Sequence, residues 1–146
     1  MTFANQRSPI QEYSSSSAIG LELRAASHSA ALLKSYPLGI LKMYGSDALD
    51  LLNRLSTNNL ETLPEGEGCL SILTTNKGRI VDLLHILAMD DHLLVLTSLE
   101  AKAIVIEWMD RYTFVEDVTV EDITEDFTLL SLTGPNSVEL IQDFSS

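Results

Sequence analysis

Three apolar runs, Cys69 to Thr74, Ile80 to Met89 and His92 to Thr97, follow one another with almost no chain between them. The connectors are Thr75-Asn76-Lys77-Gly78-Arg79 and Asp90-Asp91. Runs joined this tightly turn back on themselves, so a meander of three antiparallel strands is expected at the centre of the fold. Gly78 supplies the backbone conformation that the first turn demands, and the paired aspartates suit the second.

Helical patterns flank the meander. Ser46 is placed to cap a helix in which Ala48, Leu51, Leu52 and Leu55 recur at i, i+3, i+4 and i+7. That helix stops at Ser56-Thr57-Asn58-Asn59, and Glu61 to Gly68 is a connector punctuated by Pro64 and Gly66. A second helix is expected from Ser98, with Glu100 near its positive end and Ala101, Ile104, Val105, Trp108 and Tyr112 along one face. Upstream, Leu21 to Lys34 reads as a helix, and Tyr36 to Tyr44 as a strand with Leu38, Ile40 and Lys42 on one face. Downstream, Val118 to Glu121 and Phe127 to Thr133 read as short strands around an acidic turn. Gly134-Pro135 then opens a last helix bearing Val138, Ile141 and Phe144. From the first strand the order is β-α-β-β-β-α-β-β-α, which predicts an α+β fold: an antiparallel sheet with helices packed on one face. Residues 1–20, polar and Ser-rich, are expected to form a flexible N-terminal arm. Residues 21–146 are expected to be the folded part, and its last helix reads as the end of a truncated piece.

Charge narrows the partners. Arg7, Arg24, Lys34 and Lys42 against Glu12 and Glu22 leave about +2 through Tyr44, so about −14 falls beyond it out of a net charge of −12. A field of that sign repels phosphate backbones and argues against nucleic acid. One cysteine, Cys69, excludes an internal disulfide framework and any CxxC motif. Set in an apolar run, it reads as a small core residue. No stretch is apolar for long enough to suggest a membrane span, and the N-terminus has no apolar signal core. A cytoplasmic protein is expected.

Asp82 and His85 interrupt the run from Ile80 to Met89. Alternation along a strand puts Asp82 on one face with Ile80, Leu84 and Ile86, and His85 on the other with Val81, Leu83 and Leu87. The two therefore do not form an acid–base dyad. A carboxylate among leucines must be paired or hydrogen-bonded, and two readings stand. One is a ligand-holding or proton-accepting group whose pKa is raised by desolvation. The other is a structural carboxylate that accepts N–H groups of the turn at Gly78. His85 reads as a satisfied core or edge histidine, His28 and His92 as solvated, and no pair of histidines has metal-ligand spacing. Asn58 and Asn59 suit a helix end on conformational grounds alone.

Taken together, the segments resemble a known family. Gly45-Ser-Asp-Ala-Leu-Asp-Leu-Leu-Asn-Arg-Leu-Ser-Thr-Asn-Asn-Leu is similar to the G-x-D-A-x-x-F-L-x-x-x-x-T-N-D-V signature of folate-binding proteins related to aminomethyltransferase, the T-protein of glycine cleavage. Leu73 to Leu84, with Lys77-Gly78-Arg79, resembles the hairpin and strand that follow, and Thr133-Gly134-Pro135-Asn136 the family's x-G-P-x-A. The matches span Tyr36 to Phe144 in order. The resemblance implies that residues 21–146 are the N-terminal part of a T-protein-like folate-binding domain, whose missing C-terminal remainder would be a partner. It implies tetrahydrofolate as ligand, with Asp82, Thr97 and Asn58 as folate contacts. No metal, nucleic acid or membrane is expected from the residues themselves, and no catalytic residue is singled out.

Within the family, T-proteins carry paired aspartates where this chain has Val81 and Asp82, an asparagine where Thr97 stands, and an aromatic where Cys69 stands. Lys77-Gly78-Arg79 is similar to the branch that supports iron–sulfur cluster maintenance. Three readings follow: a folate-dependent accessory of cluster maintenance, an aminomethyltransferase of glycine cleavage, or an incomplete chain without activity of its own.

Overall fold

The structure, a computed structural model, describes residues 18–144. Their elements are α1 (Ala18–His28), β1 (Ala31–Lys34), β2 (Leu38–Tyr44), α2 (Ala48–Leu55), β3 (Gly68–Thr74), β4 (Ile80–Ala88) and β5 (Leu93–Ser98), then α3 (Lys102–Arg111), β6 (Thr119–Asp122), β7 (Leu130–Thr133) and α4 (Ser137–Phe144). A single 3-10 turn, Thr124–Asp126, follows β6. The N-terminal arm expected over residues 1–20 lies outside the described residues up to residue 17.

The chain divides into two units, one holding α1, β1, β7 and α4, the other residues 36–129. In the larger unit the strand order is β3-β4-β5-β2-β6, and every neighbouring pair is antiparallel. The expected meander is present as β3-β4-β5. The register lines up Cys69, Ile86, Val95, Leu41 and Asp122 in one row across the sheet, and Leu70, His85, Leu96 and Ile40 in the next. Adjacent rows point to opposite faces.

One face is closed. Leu41, Met43, Leu73, Leu84, Ile86 and Val95 are fully buried there with Leu51 and Leu52 of α2 and Val105 and Met109 of α3. The other face of β4 carries Leu83, 46% exposed, and Leu87, 39% exposed. Among the described residues β4 is thus covered on one side only, because both helices lie on the Leu84 side. Ile104, expected on the buried stripe of α3, is also at the surface, and Met109 takes its place in the core.

Helix starts differ from expectation as well. The cap of α2 is Asp47 rather than Ser46, and no side chain closes it. Ser46 instead donates from its backbone N and its hydroxyl to Asp117 Oδ2, at 3.0 and 3.2 Å. Ser98 closes β5 and does not open α3, which starts at Lys102 after a turn.

Three ion pairs tie parts of the larger unit together. Lys102 Nζ reaches Asp122 Oδ2 at 2.6 Å, tying α3 to β6. Arg54 bridges Asp50 and Glu116 at 2.9 Å each. N–H donation from Phe114, the Arg54 guanidinium and the Val115 N–H hold the Glu116 carboxyl at about 2 instead of 4.5. Lys102 and Thr124 hold Asp122 at about 2 instead of 3.8. Both pKa values are depressed in the folded state. Their stabilisation is therefore complete above the ordinary carboxylate range and is lost as pH falls toward about 2. Urea unfolding midpoints should decline steadily from about pH 5 to about pH 2; a flat profile would show these pairs to be energetically idle.

The smaller unit departs furthest from the local sequence pattern. Its two strands pair antiparallel, Ala31 with Thr133 through Lys34 with Leu130. The residues read as the end of a long first helix are thus strand β1. The two late strands do not pair with each other either: β6 joins β2 in the five-stranded sheet, and β7 joins β1. Asn136 N donates to Ser29 O at 3.0 Å where α4 begins. On α4, Val138 is 66% and Ile141 54% exposed. No described helix is long and apolar enough to cross a membrane.

Candidate functional site

Asp82 sits where β4 loses its regular pairing. Thr74 pairs with Ile80 and Leu73 with Asp82, so Val81 is an extra residue on β4. A bulge of this kind bends a strand and re-aims the side chains beside it. Asp82 points to the helix-covered face, toward the end of β5. Thr97 Oγ1 donates to Asp82 Oδ2. Ser98 donates twice, from its backbone N to Oδ2 at 2.7 Å and from its hydroxyl to Oδ1 at 2.9 Å. Thr97 is 1% exposed, while Asp82 is only partly buried.

Those donors decide the charge of the group. Burial pushes the Asp82 carboxyl up, but donation from Thr97, from both Ser98 groups and from the Leu83 N–H outweighs it, and the pKa lies below the ordinary value. The raised pKa expected from its apolar strand is therefore corrected: a carboxylate with several fixed donors stays ionised. It is an acceptor, not a store for a proton. The expected partners are corrected too. The turn at Gly78 closes on itself, with Gly78 N donating to Thr75 O at 2.8 Å and Arg79 N to Thr75 Oγ1 at 3.0 Å. No donor from that turn reaches Asp82.

Of the three residues singled out as folate contacts, two come together. Thr97 and Asp82 share a hydrogen bond. Asn58 lies on the far side of β3, where Ser56 bridges Leu73 and Thr57 N donates to Ile72 O at 3.1 Å. Its backbone N donates to Ser71 Oγ at 2.9 Å and its Nδ2 to Leu70 O at 3.0 Å, while its Oδ1 accepts from Asn59 N at 2.9 Å. Asn58 holds this short segment against the edge of the sheet. Ser98 was missed as a site residue because it resembled a helix start. The signal lay in the register: pairing His85 with Leu96, extended along both strands, carries Asp82 to the end of β5.

The remaining candidates stand apart. His85 is exposed on the opposite face, between Leu70 and Leu96, and helps line a concavity of about 280 Å3 with Cys69 and Leu87. Cys69 is a half-buried free thiol. Among the described residues, no group of three or more His, Cys, Asp or Glu side chains is placed to hold a metal ion.

Comparison with known proteins gives the chain's relatives. The family model described as the GCVT N-terminal domain matches residues 2–146. The chain is 32% identical over 104 residues to a putative chloroplastic transferase of Arabidopsis thaliana, covering 70% of this chain and 24% of that protein. It is 29% identical over 129 residues to the aminomethyltransferase of Bacillus pumilus, covering 87% and 35%. With sarcosine oxidase subunit alpha of a Corynebacterium it shares 29% identity over 134 residues, covering 88% and 14%. The chain thus spans between 14% and 35% of the length of these relatives. The crystal structure of glycine cleavage system aminomethyltransferase T from Bartonella henselae superposes with a TM-score of 0.72 at 18% identity, over 84% of this chain and 33% of that one. The likeness at that identity is one of fold.

Proposed function

We propose, from the premise that this chain belongs to the GCVT N-terminal domain family, that it contributes a tetrahydrofolate-binding wall in which Asp82 accepts hydrogen bonds from the ligand. The observation that carries this reading is the ionised carboxylate set at a β-bulge. Oδ1 accepts from the Ser98 hydroxyl, and the residue is only partly buried, so the carboxylate keeps an exposed acceptor face. The edge of a reduced pterin is rich in N–H donors, and a carboxylate is purely an acceptor, so the chemistries fit. Thr97 and Ser98 hold the carboxylate in place. Asn58 enters as an outlying polar group whose amide already serves the β3 edge.

The finer role we assign is accessory, in iron–sulfur cluster maintenance rather than in aminomethyl transfer. Two sequence features favour it: Val81 stands where T-proteins carry the first of two aspartates, and Lys77-Gly78-Arg79 is similar to the cluster-maintenance branch. The identity to an aminomethyltransferase supports the second reading, a tetrahydrofolate-dependent aminomethyltransferase. Titrating tetrahydrofolate into the isotope-labelled full chain tests the shared part. The amide resonances of Leu83 and Ser98 should shift and saturate together. A titration that leaves both unmoved would remove Asp82 from the binding wall. Transfer of a one-carbon unit from an aminomethyl carrier to tetrahydrofolate would favour the enzyme over the accessory.

A further inference from the structure

We infer that Gly39 is a positioning residue for the Asp82 carboxylate, acting through the methyl group of Thr97. In the β2–β5 pairing Gly39 stands directly opposite Thr97. A glycine inside a buried strand loosens it, and one retained there often marks the close approach of another group. The reason at this position is space and not backbone conformation, since Gly39 is not among the glycines with positive φ. A Cβ on Gly39 would lie 2.9 Å from Thr97 Cγ2, and 3.0 Å from both Cβ and Cδ of Lys102.

Neither neighbour has free room. The Lys102 stem is held at its far end, where Nζ bonds Asp122 Oδ2 at 2.6 Å and Thr124 Oγ1 at 3.3 Å. Thr97 is 1% exposed, so its methyl has nowhere to retreat. Threonine is branched at Cβ and stiff at χ1, so methyl and hydroxyl turn as one body. With the methyl seated over Gly39, the hydroxyl is aimed at Asp82 Oδ2. Any side chain at position 39 that displaces the methyl swings the donor off the carboxylate. The geometry alone assigns this aiming role; its consequence for ligand affinity rests on the folate reading above.

The test uses the full chain and two readouts. One is the pH titration of the Asp82 carboxyl carbon by NMR, which needs no ligand. The other is the affinity for tetrahydrofolate. Gly39→Ala should raise the Asp82 titration midpoint, because a donor to the charged form is lost, and weaken tetrahydrofolate about tenfold. The double variant Gly39→Ala with Thr97→Ser keeps the hydroxyl and removes the obstructing methyl, so both readouts should return toward wild type. A wild-type midpoint in folded Gly39→Ala, or a double variant that behaves like Gly39→Ala, would overturn the inference. Should Gly39→Ala not fold, Thr97→Ser and the double variant are compared instead: equal midpoints support the inference and a raised midpoint in the double variant overturns it. A raised midpoint with unchanged folate affinity would uphold the role of Gly39 and remove the folate reading of Asp82.

Discussion

Gly45→Ala is expected to cost the larger unit about 3–5 kcal/mol of unfolding free energy. Gly45 leaves β2 with φ at 119°, a conformation open to glycine and strained for any other residue. A Cβ there would lie 2.0 Å from the backbone oxygen of Asp117 and 2.6 Å from its carbonyl carbon. Overpacking typically costs about 1–3 kcal/mol, and forced backbone strain adds a similar amount. The obstacle cannot move freely, because residues 46 and 47 are clamped to Asp117 from both sides. Ser46 N donates to the Asp117 carboxylate at 3.0 Å, and Asp117 N donates to Asp47 Oδ2 at 2.8 Å. Shifting Asp117 breaks the clamp that seats the start of α2 against the segment leading into β6. Urea unfolding followed by Trp108, the single tryptophan, reads the effect directly. A loss below about 1 kcal/mol would show that the turn yields more easily than its contacts imply.

What was legible in the residues was whatever local pattern decides. The meander was readable because β3, β4 and β5 are joined by short turns, and α2 because its apolar residues repeat at helical spacing. What escaped was settled by partners far away in the chain. Ala31–Lys34 reads as the end of a helix, and it is a strand because β7 pairs with it almost a hundred residues later. The last two strands look like a hairpin from their spacing, yet each is claimed by a different sheet. The candidate site divides in the same way. A lone carboxylate in an apolar strand drew attention to Asp82 without any structure. Its partners did not show, because they come from the register of β4 on β5 and from the bulge at Val81. The direction of its pKa followed the partners: desolvation alone pointed up, and the donors at the end of β5 reversed it.

Asp82→Asn should weaken tetrahydrofolate by about ten- to a hundredfold, or about 1.5–3 kcal/mol, if the carboxylate meets the pterin edge. The amide keeps the shape of the side chain but exchanges one acceptor oxygen for a donor. The groups that face the carboxylate are donors or can act as ones: the Thr97 hydroxyl, the Ser98 N–H, the Ser98 hydroxyl and the Leu83 N–H. The new NH2 must therefore oppose either Ser98 and Thr97 or the ligand. Opposing the protein lowers stability by about 1–3 kcal/mol, through a donor left unpaired. Opposing the ligand lowers affinity. Measuring both on the full chain separates the two roles that the residue pattern left open. A variant that loses stability but binds tetrahydrofolate like wild type makes Asp82 a latch between β4 and β5 and nothing more. A variant that loses affinity beyond the fraction unfolded makes it a ligand group, since a latch that remains closed has no other route to the pterin.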